Sequence, residues 1–225
     1  MEFVVVGAPG EGVTLRLDYR AFAYAGKFVV GAPGTAALYT DDGSPAAPDW
    51  TPEEPLPGTV DPDTFTRDVL AAVSFSPDRT DPDRCRLRYV TVHAARRGEG
   101  LGPRLITRTV AWLAEAGYDR VRIAVNNPFA YEALYKCGFA YTGETTGIAE
   151  LELERPAGRP ADEHADAERY RSGLAVFDER EGVSDSERRF LNARLGGTDG
   201  AEGSATSDEP ATGPGVSPPE IVEHK

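Results

Sequence analysis

Lysine is almost missing from this 225-residue chain: only Lys27, Lys136 and Lys225 occur, so nearly all of its positive charge is arginine. Positive charge is in short supply altogether, with a formal net charge of −13 at pH 7. Phosphate backbones need a basic face, so no nucleic-acid partner is expected. An excess of Asp and Glu over Lys suits a salt-rich cytoplasm, where a negative surface stays hydrated. An acidic protein from a GC-rich genome is the plainer alternative. Two cysteines, Cys85 and Cys137, are too few for a disulfide framework and point to a reducing interior. No apolar run approaches the ~20 residues that span a bilayer, and no charged-then-apolar leader opens the chain. The expectation is a soluble, cytoplasmic protein without a membrane partner. No His/Cys/Asp/Glu cluster has metal-ligand spacing, and Asp61-Pro-Asp63 and Asp81-Pro-Asp83 read as turns, so no metal is expected. Neither a GxSxG elbow nor a Cys–His pairing signals a covalent nucleophile.

What is present divides into three parts. Residues 1–155 alternate strand-type and helix-type segments. Met1–Gly7, Val13–Tyr19 and Lys27–Val30 carry strand-forming residues, although Tyr19–Ala25 also suits one short helix. The near-repeat FVVVGAPG at Phe3 and FVVGAPG at Phe28 reads as strand-then-turn punctuation. Residues 40–66 are rich in Pro, Asp, Glu and Gly and are expected as a loop excursion. Val69–Ser76 and Arg86–Val92 read as strands, Pro103–Ala116 as an amphipathic helix ended by Gly117, and Arg120–Val125 as a strand. Pro128–Cys137 is a second helix with Gly138 past its end, and Phe139–Glu144 with Ile148–Glu154 form a hairpin. Residues 156–195 are an acidic helical extension, with helices expected over Ala161–Arg180 and, behind the capping box Ser184–Glu187, over Arg188–Leu195. Residues 196–225 hold too little apolar surface to offset ordering entropy and are expected to be disordered.

The stretch from Val92 to Leu105 joins a strand to a helix through a glycine-rich loop. Backbone N–H groups converge there without Cβ atoms in the way, and the helix N-terminus adds partial positive charge. Arg96, Arg97 and Arg104 stand nearby, so a diphosphate-bearing ligand is the natural occupant. The spacing is GxGxG and falls late in a strand-rich segment, unlike the GxGxxG of dinucleotide folds. Gly7–Thr14 (GAPGEGVT) approaches a nucleotide phosphate loop but has Val13 where the lysine belongs.

Arg97-Gly-Glu-Gly100-Leu-Gly102 resembles the acetyl-CoA signature of the GNAT superfamily of N-acetyltransferases, Q/R-x-x-G-x-G/A. Asn127-Pro-Phe-Ala130 with Gly138-Phe139 resembles that family's N-x-x-A … G-F segment, and the order of elements agrees over Val69–Glu154. The resemblance implies an α/β (α+β) fold: a mixed, mostly antiparallel sheet with a central splayed parallel strand pair and flanking helices. It implies acetyl-CoA as donor, with Arg97, Gly98, Gly100, Leu101 and Gly102 at the diphosphate, and Val90, Val92 and Asn127 along the pantetheine arm. It implies direct acetyl transfer to a small-molecule or peptide amine. The position the family gives to an acidic tyrosine holds Leu134, so Tyr135, one residue on, is the preferred proton donor and Tyr131 the second candidate. His93, Glu144 and Glu150 are candidate bases, none standing out. A non-catalytic acetyl-CoA-binding module is the alternative function.

Overall fold

The computed structural model describes residues 1–159 and 167–196. Seven strands form one sheet in the order β1-β2-β3-β4-β5-β7-β6. They are β1 (Glu2–Gly7), β2 (Gly34–Tyr39), β3 (Val69–Pro77), β4 (Arg84–Val92), β5 (Arg120–Val125), β6 (Ala140–Thr145) and β7 (Leu151–Pro156). Every neighbouring pair is antiparallel except β4 with β5 at the centre. The expected fold class, with β6 and β7 as a hairpin, is what the chain adopts. Helices α1 (Leu101–Glu115) and α2 (Pro128–Lys136) pack on one face of the sheet. The apolar stripe of α1, Leu101, Leu105, Ile106, Val110 and Leu113, repeats at three and four residues and is buried along its length.

The first third departs from expectation. Val13–Tyr19 and Lys27–Val30 are not strands, and Tyr19–Ala25 is not a helix. Instead Leu15, Leu17, Phe22 and Phe28 form an irregular apolar layer against Ala37, Val69 and Ala72, on the sheet face opposite α1. Glycine punctuation explains it: Gly10 and Gly12 take positive φ, and a Cβ on Gly31 would collide with the Gly12 backbone. Backbone groups are satisfied by loop bonds such as Leu15 N–H to Phe28 C=O at 2.8 Å. The strand in this region is β2 (GTAALY), whose Ala36, Ala37 and Leu38 are fully buried. It is covered on both faces, so it shows no alternation to read.

Beyond the apolar layer the same sheet face is charged. Arg86 on β4 pairs with Asp78 at 2.6 Å and with Glu152 on β7 at 2.9 Å. Arg122 on β5 pairs with Glu152 at 2.7 Å and Glu154 at 2.8 Å. Burial opposes ionisation of Asp78, yet the Thr80 amide and the Arg86 and Arg84 side chains outweigh it and hold that carboxyl far below the usual range.

Two further helices, α3 (Ala167–Asp178) and α4 (Asp185–Leu195), lie against α2. Tyr170, Leu174, Phe177 and Leu191 are buried in the same core as α1 and α2. The capping box at Ser184 and Glu187 is formed, one turn earlier than the expected helix start at Arg188. The expected disordered tail, apart from Gly196, and the start of the expected helix at Ala161 lie outside the described residues.

Glu132 on α2 ties these helices together. Its buried carboxylate accepts from Arg194 at 2.7 Å, Lys136 at 2.7 Å and the Tyr170 hydroxyl at 3.0 Å. Burial works against its ionisation, but Arg194 and Lys136 outweigh it and its pKa is lowered. Glu132→Ala should therefore reduce unfolding free energy by about 2 kcal/mol at pH 7, measured by urea melts. A carboxylate with a lowered folded pKa stabilises fully above the unfolded value, about 4.3, and loses that contribution as pH falls through the folded one. The gap between variant and parent should narrow below about pH 4; a gap that stays constant with pH would contradict the ion-pair account.

Candidate active-site cleft

β4 and β5 pair for only three residues each, Arg84–Arg86 with Arg120–Arg122. Past that point each keeps its outer neighbour: β4 stays on β3 through Val92, and β5 stays on β7 through Val125. The two strands part while neither frays. A register shift against β3, with Ser74 opposite Tyr89 but Phe75 opposite Leu87, makes Arg88 the bulged residue of β4. Core-facing positions accordingly run Cys85 and Leu87, then Val90 and Val92. From Leu87 onward the β4 edge facing β5 has no strand partner, and its backbone polar groups open into the gap.

A cavity of about 290 Å³ fills the gap. Val90, Ile123 and Val125 form its strand walls, and Ile106 and Leu134 its helix walls, while Ala130 and Ala133 leave room by being small. Tyr24, Arg88 and Glu150 stand at the far end. At the near end it continues past Gly102 and Pro103 into a second cavity of about 560 Å³ beside Val92, Arg97, Gly98, Gly100 and Leu101. The structure thus brings all eight expected binding residues to one continuous cleft.

The loop end is built for an anion. Gly98 (φ 85°) and Gly100 (φ 73°) adopt left-handed backbone, and a Cβ at either would meet no neighbour, so conformation rather than crowding calls for glycine. Gly100 caps α1 without any side-chain hydrogen bond, leaving the Leu101 and Gly102 amides free of a capping acceptor. By contrast α2 and α4 carry the side-chain caps Asn127 and Ser184. Of the three arginines, Arg97 alone lines the cavity free of an ion pair among the described residues. Arg96 is held by Glu99 at 2.8 Å, and Arg104 reaches away to the Met1 sulfur at 3.3 Å. Asn127 lines the cleft but its Oδ1 is committed to the Ala130 amide at 2.9 Å.

The proton-transfer candidates fare differently. Tyr131 and Tyr135 are buried and turned away from the cleft, towards α3. The Tyr131 hydroxyl donates to the Tyr170 carbonyl at 3.1 Å, and burial pushes its pKa up. Tyr135 lies against the Tyr170 ring, centroids 4.5 Å apart. The reason is helical phase: Ala130, Ala133 and Leu134 take the cleft side of α2, and the tyrosines fall on the other. Glu144 pairs with Arg122 at 3.2 Å, outside the cleft. His93 lines neither cavity. Glu150 alone of the candidate bases reaches the cleft, and its carboxylate has no hydrogen-bond partner among the described residues.

Sequence reading missed Tyr24 and Arg88. For Arg88 a signal existed, the one-residue slip in the apolar phase of RCRLRYVTV; for Tyr24, in left-handed backbone at φ 59°, there was none. Among the described residues no group of three or more His, Cys, Asp or Glu could hold a metal, and no helix is long and apolar enough to cross a membrane. Cys85 and Cys137 are buried, and burial pushes their thiols up to about 12 and about 11. Native protein at pH 8 should leave Ellman's reagent unreacted over a time in which the urea-unfolded chain titrates two thiols; fast reaction of either in the native state would make it a candidate nucleophile.

Residues 35–139 match the model of the Acetyltransferase (GNAT) family. No curated protein matches the sequence. Among solved structures, nourseothricin acetyltransferase is similar at 19% identity and a TM-score of 0.40, over 56% of this chain and 65% of that one. The chain thus spans just under two thirds of that protein's length. The ribosomal-protein-alanine N-acetyltransferase of Brucella melitensis matches at 12% identity over 55% of this chain and 68% of its own, TM-score 0.40. The yncA putative acetyltransferase of Salmonella typhimurium, solved with its cofactor acetyl-CoA, matches at 15% over 57% and 67%, TM-score 0.41. The likeness to the family rests on the model match over residues 35–139 and not on these distant structures. From β2 to the turn after α2, this chain is similar to the acetyltransferase domain of the GNAT family.

Proposed function

We propose that the protein transfers an acetyl group from acetyl-CoA directly to the nitrogen of a small-molecule or peptide amine. The observation that carries this reading is the cleft: uncapped α1 amides at one end, an unpaired β4 edge along one wall, and an opening beside Glu150 at the other. Acetyl-CoA supplies its acetyl as a thioester. As the amine nitrogen forms the C–N bond the C–S bond breaks, CoA leaves as the thiolate with the electron pair, and the proton shed by the nitrogen returns to that sulfur. The Leu101 and Gly102 amides, with Arg97 and the open backbone at Gly98 and Gly100, would hold the diphosphate. The β4 edge at Val90 and Val92, and Asn127 opposite, would hold the pantetheine arm. An N–H of the parted edge would stabilise negative charge on the acetyl oxygen, a contribution that costs about 3 kcal/mol when one such donor is lost elsewhere. Glu150 is the group at the far end able to accept the proton of an ammonium acceptor.

Acetyl-CoA should raise the melting temperature of the protein and ATP should not. Gly100→Asp, which sets a carboxylate among the free amides, should weaken acetyl-CoA binding at least about tenfold. Unchanged affinity would remove the loop from the site.

A second reading has its own support. Leu134 stands in the cleft wall where the family places a proton-donating tyrosine, and no α2 hydroxyl lines the cleft. A binding module without turnover would show the same features. Thiol release from acetyl-CoA across a panel of amines separates the two. If transfer occurs, Tyr135→Phe and Tyr131→Phe should each leave kcat within about twofold, since neither hydroxyl reaches the cleft; a drop of about tenfold or more for one would restore it as the acid.

A further inference from the structure

The residue that follows β4, His93, is only 7% exposed and lines a separate cavity of about 300 Å³ on the opposite side of the sheet from α1. No residue of that cavity is shared with the cleft between β4 and β5. The His93 Nδ1 accepts the Ala95 amide at 3.2 Å, so the neutral ring carries its proton on Nε2. Burial, with Arg96 and Arg97 nearby, lowers its pKa and keeps it neutral at physiological pH. Phe22 and Trp50 meet the ring edge-on at centroid distances of 5.1 and 5.0 Å. Among the described residues nothing accepts from Nε2. Nε2 is not one of the sealed polar atoms left without a partner, so its proton is open to whatever occupies the cavity.

The rest of the cavity says what kind of acceptor fits. Trp50, Phe22 and Phe65 line it together with Pro45, Pro48, Pro52 and Pro62, so its walls are flat rings. No cation is free in it. Arg20 gives Nε and Nη2 to Asp18 and Nη1 to the Glu54 carbonyl, and Arg67 pairs with Asp63 at 2.8 Å. An anionic ligand would find its counter-charges already taken. The long connection between β2 and β3 is fastened around the cavity at several points. Ala46 N–H reaches Arg67 C=O at 2.8 Å, Arg96 Nη1 reaches Ala46 C=O at 2.8 Å, and Thr66 N–H reaches Arg16 C=O at 2.8 Å. Connections of this length without regular structure are uncommon and usually functional.

We propose that this cavity binds a neutral, flat aromatic ring carrying a hydrogen-bond acceptor, such as a carbonyl or ring nitrogen, which takes the His93 Nε2–H while its faces lie against Trp50 and the prolines. The site stands independently of acetyl transfer and is present whether or not the cleft turns over. Trp50 is one of two tryptophans, so its fluorescence reports on the cavity. Titration of the full-length chain with benzamide or nicotinamide should give a saturable emission change at roughly millimolar concentration, normal for ligands of this size. Trp50→Phe, which leaves Trp112, should abolish the change. Toluene, flat but without an acceptor, should bind at least about fivefold more weakly than benzamide, and His93→Phe should erase that preference. The comparison of toluene with benzamide on the parent protein needs no variant to fold. No saturable response to either amide up to about 20 mM, equal binding of toluene, or a response surviving Trp50→Phe would each overturn the proposal.

Discussion

The parting of β4 from β5 is the constraint on which the rest of the molecule depends. A parallel pair left joined throughout would close the wall and leave no cleft. A pair parted throughout would split the sheet in two. Here three residue pairs hold, and the bulge at Arg88 turns β4 away beyond them. The charged network sits over the joined end. Arg86 on β4 and Arg122 on β5 share Glu152 of β7, so one carboxylate bridges the pair from outside. Exposed ion pairs are weak, but Glu152 and Asp78 are largely buried and each is held by more than one partner. The clamp therefore acts where the strands must stay together, and the α1 and α2 side chains wall the open space where they must not.

That division also explains how an acidic protein keeps its arginines. Those at the joined end are committed to carboxylates on neighbouring strands, and Arg20 is committed to Asp18. Arg97 is left over at the loop end of the cleft. A net charge of −13 disfavours anionic ligands at long range, so an anion has to be held by local groups. The uncapped amides of α1 supply those groups without altering the charge balance.

How much of this was legible beforehand depends on whether a residue's surroundings were local. The glycine loop was legible because Gly98 and Gly100 answer to their own φ angles. Asn127 and Pro128 were legible as a helix start because capping is settled within four residues. The first third was not. Leu15, Leu17, Phe22 and Phe28 look like strand residues, yet their burial comes from a sheet face assembled from β2, β3 and β4, and loop bonds replace the ladder. The bulge at Arg88 lay between these cases. Its phase slip is written in the order of apolar residues, but only pairing with β3 shows that the slip is a bulge and not a strand end. The orientation of Tyr131 and Tyr135 could not be read locally, because it depends on α3, which is more than thirty residues further on.

The C-terminal helices connect fold to chemistry most directly. Gly173, in the middle of α3, is an unfavourable helix residue by roughly 1 kcal/mol, yet a Cβ there would run into the Tyr131 ring and hydroxyl. The glycine is the condition for α3 to approach α2 closely enough for Tyr131 to reach the Tyr170 carbonyl and for Tyr170 to reach Glu132. Both α2 tyrosines thereby become the floor on which α3 rests. A hydroxyl that donates to a buried carbonyl has to give up that bond before it can move a proton elsewhere. The face of α2 left for the cleft is aliphatic, so any polar group offered to a ligand there comes from the β4 edge, Asn127, Arg88 or Glu150. In this chain the docking of the extension and the make-up of the cleft wall are therefore one structural decision, made by which side of α2 carries the tyrosines.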